Sequence, residues 1–285
     1  MRGTLFRWTI LLLLTTFLGS VDLLALPESQ VSVDWEEGII QLTVTHKVDD
    51  FSPQQRSRLQ QETFRDLGEL FLDAAKELRI SSSLSLDQWI SRNPRRISDL
   101  LDAVKTMRPL SSRFSREFGE LIFTFHMPLF PDLASVFIDH SRGYTPAPSL
   151  FHAPSGNYTG ILIYVQDTYP VFGEDRESRI SPVLFPRIWD EEMKIVFEPE
   201  MMNSEDLLAH GPVSYFRSLT SGELIKRVGP NPIRIAARGL FGIVPSDPII
   251  PRSDALSFLN SPQAWEILQL GKIALVIGDQ APPAF

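Results

Sequence analysis

Five histidines, a run of carboxylates and several serines are the residues here that could do chemistry. The histidines are His46, His126, His140, His152 and His210. No two of them stand one helical turn apart, and His-Glu-x-x-His is absent, so the three or four converging ligands of a zinc site are not indicated. His126 falls in an expected strand, opposite its apolar face, and reads as a sheet histidine. Asp190, Glu191 and Glu192 cluster, and paired carboxylates can carry acid–base work, but between two expected strands they read as an acidic turn. Ser246-Asp247-Pro248 and Ser253-Asp254 read as turn and cap residues. The chain lacks Gly-x-Ser-x-Gly, a Walker loop and Gly-x-Gly-x-x-Gly, so neither a hydrolase elbow nor a phosphate cradle is expected. With no cysteine there is no thiol nucleophile, disulfide or thiolate metal site. No catalytic residue, cofactor-binding residue or metal ligand is assigned.

The aromatic residues are the other notable group. Phe114, Phe118, Phe123, Phe125 and Phe130 lie in and beside expected strands. Trp35, Phe123 and Phe125 are the candidate packing or interface anchors, because aromatic side chains supply much of the energy of cores and interfaces. Core is the favoured reading for Phe123 and Phe125.

The elements that would position these residues follow from periodicity. Val31, Val33 and Trp35 alternate with polar residues, Glu37-Gly38 turns, and Ile40, Leu42 and Val44 alternate again, as two strands do. Ser52-Pro53-Gln54-Gln55 opens a helix, with Ser52 as cap, Pro53 at the first position and Gln55 placed for a capping box. Leu67, Leu70, Phe71, Ala74, Ala75 and Leu78 then share one face. Shorter helices are expected over 86–91, before Asn93-Pro94, and around Ile97–Val104. Leu110–Phe118 and Leu121–Leu129 flank Gly119-Glu120 as a hairpin, with Leu121, Phe123, Phe125 and Met127 on one face. Beyond a Gly- and Pro-rich stretch at 142–158, strands are expected at 161–165, 194–197, 233–237 and 272–277. Helices are expected there at 203–210, 212–221, 253–260 and 262–270.

The fold class expected is α+β: an N-terminal sheet with helices on one face, then a second α/β or α+β unit. The domains are a signal peptide at 1–25, an N-terminal domain at 26–141, a linker at 142–158, a C-terminal domain at 159–279 and a tail at 280–285. The signal reading rests on Arg2 and Arg7, the apolar run Ile10–Leu18, Asp22 and the small residue Ala25. An uncleaved anchor is the alternative, although a spanning helix needs about 20 apolar residues. No transmembrane span is expected after it. Of 285 residues, 27 are basic and 35 acidic, a net charge of −8 that argues against a nucleic-acid partner. An exported chain free of cysteine suits the bacterial periplasm.

Short motifs along residues 31–279 resemble the LPP-twenty-like outer-membrane lipoprotein fold and the FlgP-like flagellar accessory proteins that share it. The residues that carry the resemblance are Val33-Asp34-Trp35, Gly38, the helix around Asp66–Leu78 and the strand Leu121–Leu129. In the second half they are Thr159-Gly160-Ile161-Leu162-Ile163, the Pro-rich block Ser181–Asp190, Gly229-Pro230-Asn231-Pro232, and Ser246–Ile250 with Asp254-Ala255. The chain would be a longer, two-domain form without the lipobox cysteine. The resemblance implies a non-enzymatic envelope or flagellar component and offers no catalytic residues. Envelope or flagellar proteins are the expected partners, with a homo-oligomer as a further form. The location would be the periplasm, peripheral to the outer membrane. The alternative function is a periplasmic ligand-binding or hydrolytic protein whose site is built from scattered residues.

Overall fold

The computed structural model describes residues 27–145 and 156–278. The stretch read as a signal peptide, the 280–285 tail and most of the expected linker lie outside the described residues. In chain order the first half contains β1 (Glu28–Asp34), β2 (Ile39–Lys47), α1 (Pro53–Ala74), β3 (Arg79–Ser81), β4 (Leu84–Ser85), α2 (Leu86–Arg92), α3 (Ile97–Val104), β5 (Arg108–Ser115) and β6 (Glu120–Pro128). Its main sheet has the order β1-β2-β6-β5, antiparallel throughout. Strict alternation puts Ile40, Leu42, Val44, Leu121, Phe123, Phe125 and Met127 on one face, where they are buried under α1 residues Leu59, Leu67 and Phe71. Gly38, at φ +66°, makes the β1–β2 turn in a conformation that a side chain resists. The opposite face of the sheet carries Gln41, Thr43, Thr45, Thr124 and His126 and stays part-exposed.

The start of α1 follows the expectation with one difference. Ser52 caps it, accepting from the Gln55 N–H at 3.2 Å, and Pro53 opens the first turn. The Ser52 N–H is donated to Asp50 Oδ1 at 2.8 Å, so that donor is already occupied and Gln55 has no capping-box role. The complete box occurs at α2, where Ser85 and Gln88 satisfy each other's backbone N–H groups. On the polar face of α1, Arg58 with Glu62, Arg65 with Asp66 and Lys76 with Asp73 form exposed pairs, as a solvated face should.

A buried polar pair sits under the sheet. His46 Nε2 lies 2.7 Å from Thr63 Oγ1, and the Thr63 hydroxyl donates to Leu59 O at 2.7 Å. Thr63 therefore accepts from His46, which fixes the Nε2–H tautomer. Burial holds the imidazole below its ordinary value of 6.5, against a weaker opposing pull from Glu62. A histidine depressed on folding binds fewer protons folded than unfolded. Its contribution is complete above pH 6.5 and is lost as pH falls through the folded value. Denaturant unfolding between about pH 7 and 5 should show stability falling with pH, and His46→Gln should flatten that slope. An unchanged slope in the variant would mean that His46 is not its source.

The second half contains β7 (Ile161–Tyr164), β8 (Tyr169–Pro170), β9 (Glu177–Ser178), β10 (Ile188–Asp190), β11 (Ile195–Phe197), α4 (Ser204–His210), β12 (Ser214–Phe216), α5 (Gly222–Val228), β13 (Ile233–Ala236), β14 (Gly239–Phe241), β15 (Asp247–Ile250), α6 (Arg252–Leu259), α7 (Ala264–Gln269) and β16 (Ile273–Val276). One sheet, β12-β16-β7-β13, is wholly parallel. It is buried on both faces, which is why Ile273–Val276 is continuously apolar. The other sheet, β11-β10-β15-β14, is mixed. The chain is α+β, as expected. The helix expected at 212–221 is not there. Gly211, at φ +68°, and Pro212 end α4, and Tyr215 and Phe216 enter the parallel sheet beside β16. The helix of this region, α5, starts later, at Gly222.

Candidate functional site

The region where the two halves meet brings together the most buried polar chemistry. The β3–β4 hairpin of the first half is its key. Leu184 and Phe185 donate their N–H groups to Arg79 O and Ile80 O at 3.2 and 2.9 Å, and Val244 N–H donates to Ser82 O at 3.0 Å. Gly242 passes so close that a Cβ there would lie 2.4 Å from Ser82 Cβ. The hairpin is thus held by the Pro-rich block on one side and by the β14–β15 turn on the other. Further along, the 139–145 strap lies on the second half. His140 Nε2 is 3.0 Å from Met202 O, Gly143 N–H donates to Asn203 Oδ1 at 3.0 Å, and Tyr144 N–H donates to Glu200 O at 3.1 Å.

Asp247 is the hub of this junction. It is 1% exposed. Its carboxylate accepts from Arg187 N–H at 3.1 Å, Ser246 Oγ at 3.1 Å and Trp189 Nε1 at 3.5 Å, and from the Ser82 hydroxyl of the hairpin. Burial raises its carboxyl above the ordinary value, and the four hydrogen bonds oppose that rise without cancelling it. Ser246-Asp247-Pro248 predicts a turn residue at Asp247. It opens β15 instead, turned inward, and no local motif distinguishes the two cases. Asp190 does close a turn, accepting at Oδ1 from Glu192 and Lys194 N–H at 2.9 and 2.8 Å, but it is buried, while Glu191 and Glu192 face solvent.

Two clefts flank the hub. One, of about 440 Å³, is lined by Leu84, Arg92, His140, Phe185, Arg187 and Glu200. Arg187 reaches Glu198 Oε2 at 3.0 Å and Glu200 Oε1 at 3.7 Å, and Tyr144 donates to Glu198, its phenol pushed upward by burial and by that carboxylate. The other cleft, of about 390 Å³, runs past Trp35, Phe130, His210 and Tyr215. The Tyr215 hydroxyl both donates to Val183 O and accepts from Val183 N–H.

The sequence-derived anchors separate here. Trp35 packs edge-on to Tyr215, with centroids 5.7 Å apart, and touches both cores. Its Nε1 is buried and has no hydrogen-bond partner among the described residues. Phe123 and Phe125 lie away from it, inside the first core. Phe114 is half-buried against Phe51, Phe130 meets Phe185, and Phe118 at the β5–β6 turn is 63% exposed. His126 sits on the open sheet face, cross-strand from Gln41 and Arg108. Among the described residues there is no group of three or more His, Asp or Glu placed to hold a metal ion. Among them, too, no helix is long and apolar enough to cross a membrane.

Both halves match known domain families. Residues 27–136 match the family described as Treponema pallidum Tp0624, N-terminal domain, and residues 160–279 match Treponema pallidum Tp0624, second domain. The chain is similar to those two domains in tandem. Neither description names an LPP-twenty-like or FlgP-like family. No curated protein matches the chain.

Proposed function

We propose that the chain is an exported, non-enzymatic component of the bacterial cell envelope, with a structural or accessory role in a periplasmic or flagellar assembly. The supporting observation is the employment of its buried polar groups. Asp247 ties the hairpin to β15, Asp190 closes a turn, Tyr215 bridges the Val183 backbone and His46 is bound to Thr63. Each of these four is engaged in holding the fold. The LPP-twenty-like resemblance supports the envelope address. Cross-linking in intact cells followed by fractionation tests the proposal. The expected result is envelope-bound chain in discrete high-mass species, unaltered by Asp190→Asn or His126→Gln. A cytosolic monomer would overturn the reading, as would a turnover that one such change abolishes while the fold stays intact.

The 440 Å³ cleft favours a second reading, binding or hydrolysis of a small periplasmic ligand. In that case a small charged compound should raise the melting temperature of the wild type, and Arg92→Ala should remove the effect.

A further inference from the structure

Among the described residues, β1 and β5 are the two edge strands of the first sheet, and they carry opposite charge. β5 presents Arg108 and Arg113, with Arg116 just beyond its end, and none of the three has an ion-pair partner among the described residues. Arg56 adds a fourth cation, reaching this edge from α1 to contact the Ser112 hydroxyl. The far edge, β1, presents Glu28 at one end and Asp34 at the other, and Glu28, Gln30 and Ser32 are exposed. Glu28, Arg108 and Arg113 belong to the same open face. The ladders run Glu28–Thr45–Ile122–Arg113 in one row and Ser32–Gln41–His126–Arg108 in another.

Strand direction is compatible as well. All three pairings are antiparallel, so β1 and β5 point in opposite directions. A second copy laid beside the first would bring its β1 antiparallel to β5, continuing the pattern. Edge charges ordinarily discourage further strands. Here they repel only their own kind, β5 from β5 and β1 from β1, while β5 against β1 is attractive.

We propose that β5 of one copy pairs with β1 of the next, extending the sheet head to tail, with Ser111–Ser115 alongside Glu28–Ser32. Pro109 and the register shift between Pro109 and Ser111 set one limit of that stretch. In this register Arg113 faces Gln30 and reaches Glu28 diagonally, a distance that long side chains bridge. The bulge brings Arg108 opposite Asp34. The contact is heterologous, so it builds a twisted ring or filament and not a two-fold dimer. The inference names a partner for the assembly proposed above and rests on that reading.

Light scattering on the full chain, with Glu28→Arg, Arg113→Glu and an equimolar mixture of the two, tests it. The wild type should self-associate with concentration, less so at high salt. Each single swap turns an attraction into a repulsion at every contact, weakening association roughly two- to thirty-fold. Both sites are exposed, so at dilutions where the wild type is monomeric the melting curves should match it. The mixture should recover the wild-type species, because the reversed edge of one variant meets the reversed edge of the other in an alternating chain. A wild type that stays monomeric overturns the proposal. So does association indifferent to the swaps, as contacts through the apolar N-terminal stretch would be, or binding of an acidic foreign strand to β5 in place of a second copy. Envelope cross-links without self-association would sink this inference alone, whereas a cytosolic address would sink the reading beneath it.

Discussion

Phe125→Ala should lower stability by about 3–5 kcal/mol, the usual cost of truncating a core phenylalanine. For a chain of this size that corresponds to a fall in melting temperature of roughly 6–20 °C. Phe125 is 1% exposed on the inner face of β6, and its ring meets Phe64 edge-on at 5.1 Å. Removing it takes away both the buried area and that contact and leaves a cavity that α1 and the sheet can only partly close. Phe118→Ala is the matched control. At 63% exposure it should change stability by no more than about 0.5 kcal/mol. Calorimetry on both variants checks the pair. If Phe125→Ala melts with the wild type but loses self-association, the row serves as an interface and its place in the core is wrong.

Asp247→Ala should be comparably severe, roughly 2–5 kcal/mol, because it strands several buried donors at once. It leaves the Arg187 N–H, the Trp189 indole and the Ser82 and Ser246 hydroxyls facing a methyl group, and each buried unpaired donor costs about 1–3 kcal/mol. Asp247→Asn keeps the volume and one acceptor, so it should be milder. Its pH dependence carries the sharper test. Burial raises the folded carboxyl above its ordinary 3.8, so the folded state holds that proton more firmly than the unfolded chain does. The wild type should therefore gain stability from this group as pH falls through the raised value and lose that gain as pH rises. Asparagine does not titrate. The deficit of Asp247→Asn relative to wild type should be larger near pH 4 than near pH 7. A deficit that grows with pH would mean the carboxylate is held below its ordinary value and the burial argument fails.

What could be read from the sequence differs between the halves for a physical reason. In the first half, β1–β2 and β5–β6 are hairpins joined by one turn, and only the central β2–β6 pairing spans a long stretch of chain. Local signals are then enough: Ser52-Pro53 for the start of α1, Gly38 for the first turn, and strict alternation for β2 and β6. Ser-x-x-Gln predicts a capping box at Gln55, but Asp50 takes the donor that Gln55 would use. In the second half, β12 pairs with β16 and β7 with β13 across long stretches of chain. Residues 212–221 have enough apolar residues for a helix. Only the vacant edge of a parallel sheet makes Tyr215 and Phe216 extended.

The sequence by itself determined the α+β class, the buried faces of β2, β6 and α1, the apolar strand Ile273–Val276 and the core position of Phe123 and Phe125. Each follows from a period or a cap that neighbouring residues define. Only the tertiary structure decided the rest. Asp247 became the hub between the halves because a hairpin more than 150 residues earlier in the chain delivers Ser82 to it. Trp35 became a shared member of two cores because Tyr215 is folded against it. The opposite charges of β1 and β5 became the two edges of one sheet because β2 and β6 pair between them. These are relations between distant residues, set by which surfaces the chain can bury against one another, and no local pattern encodes them.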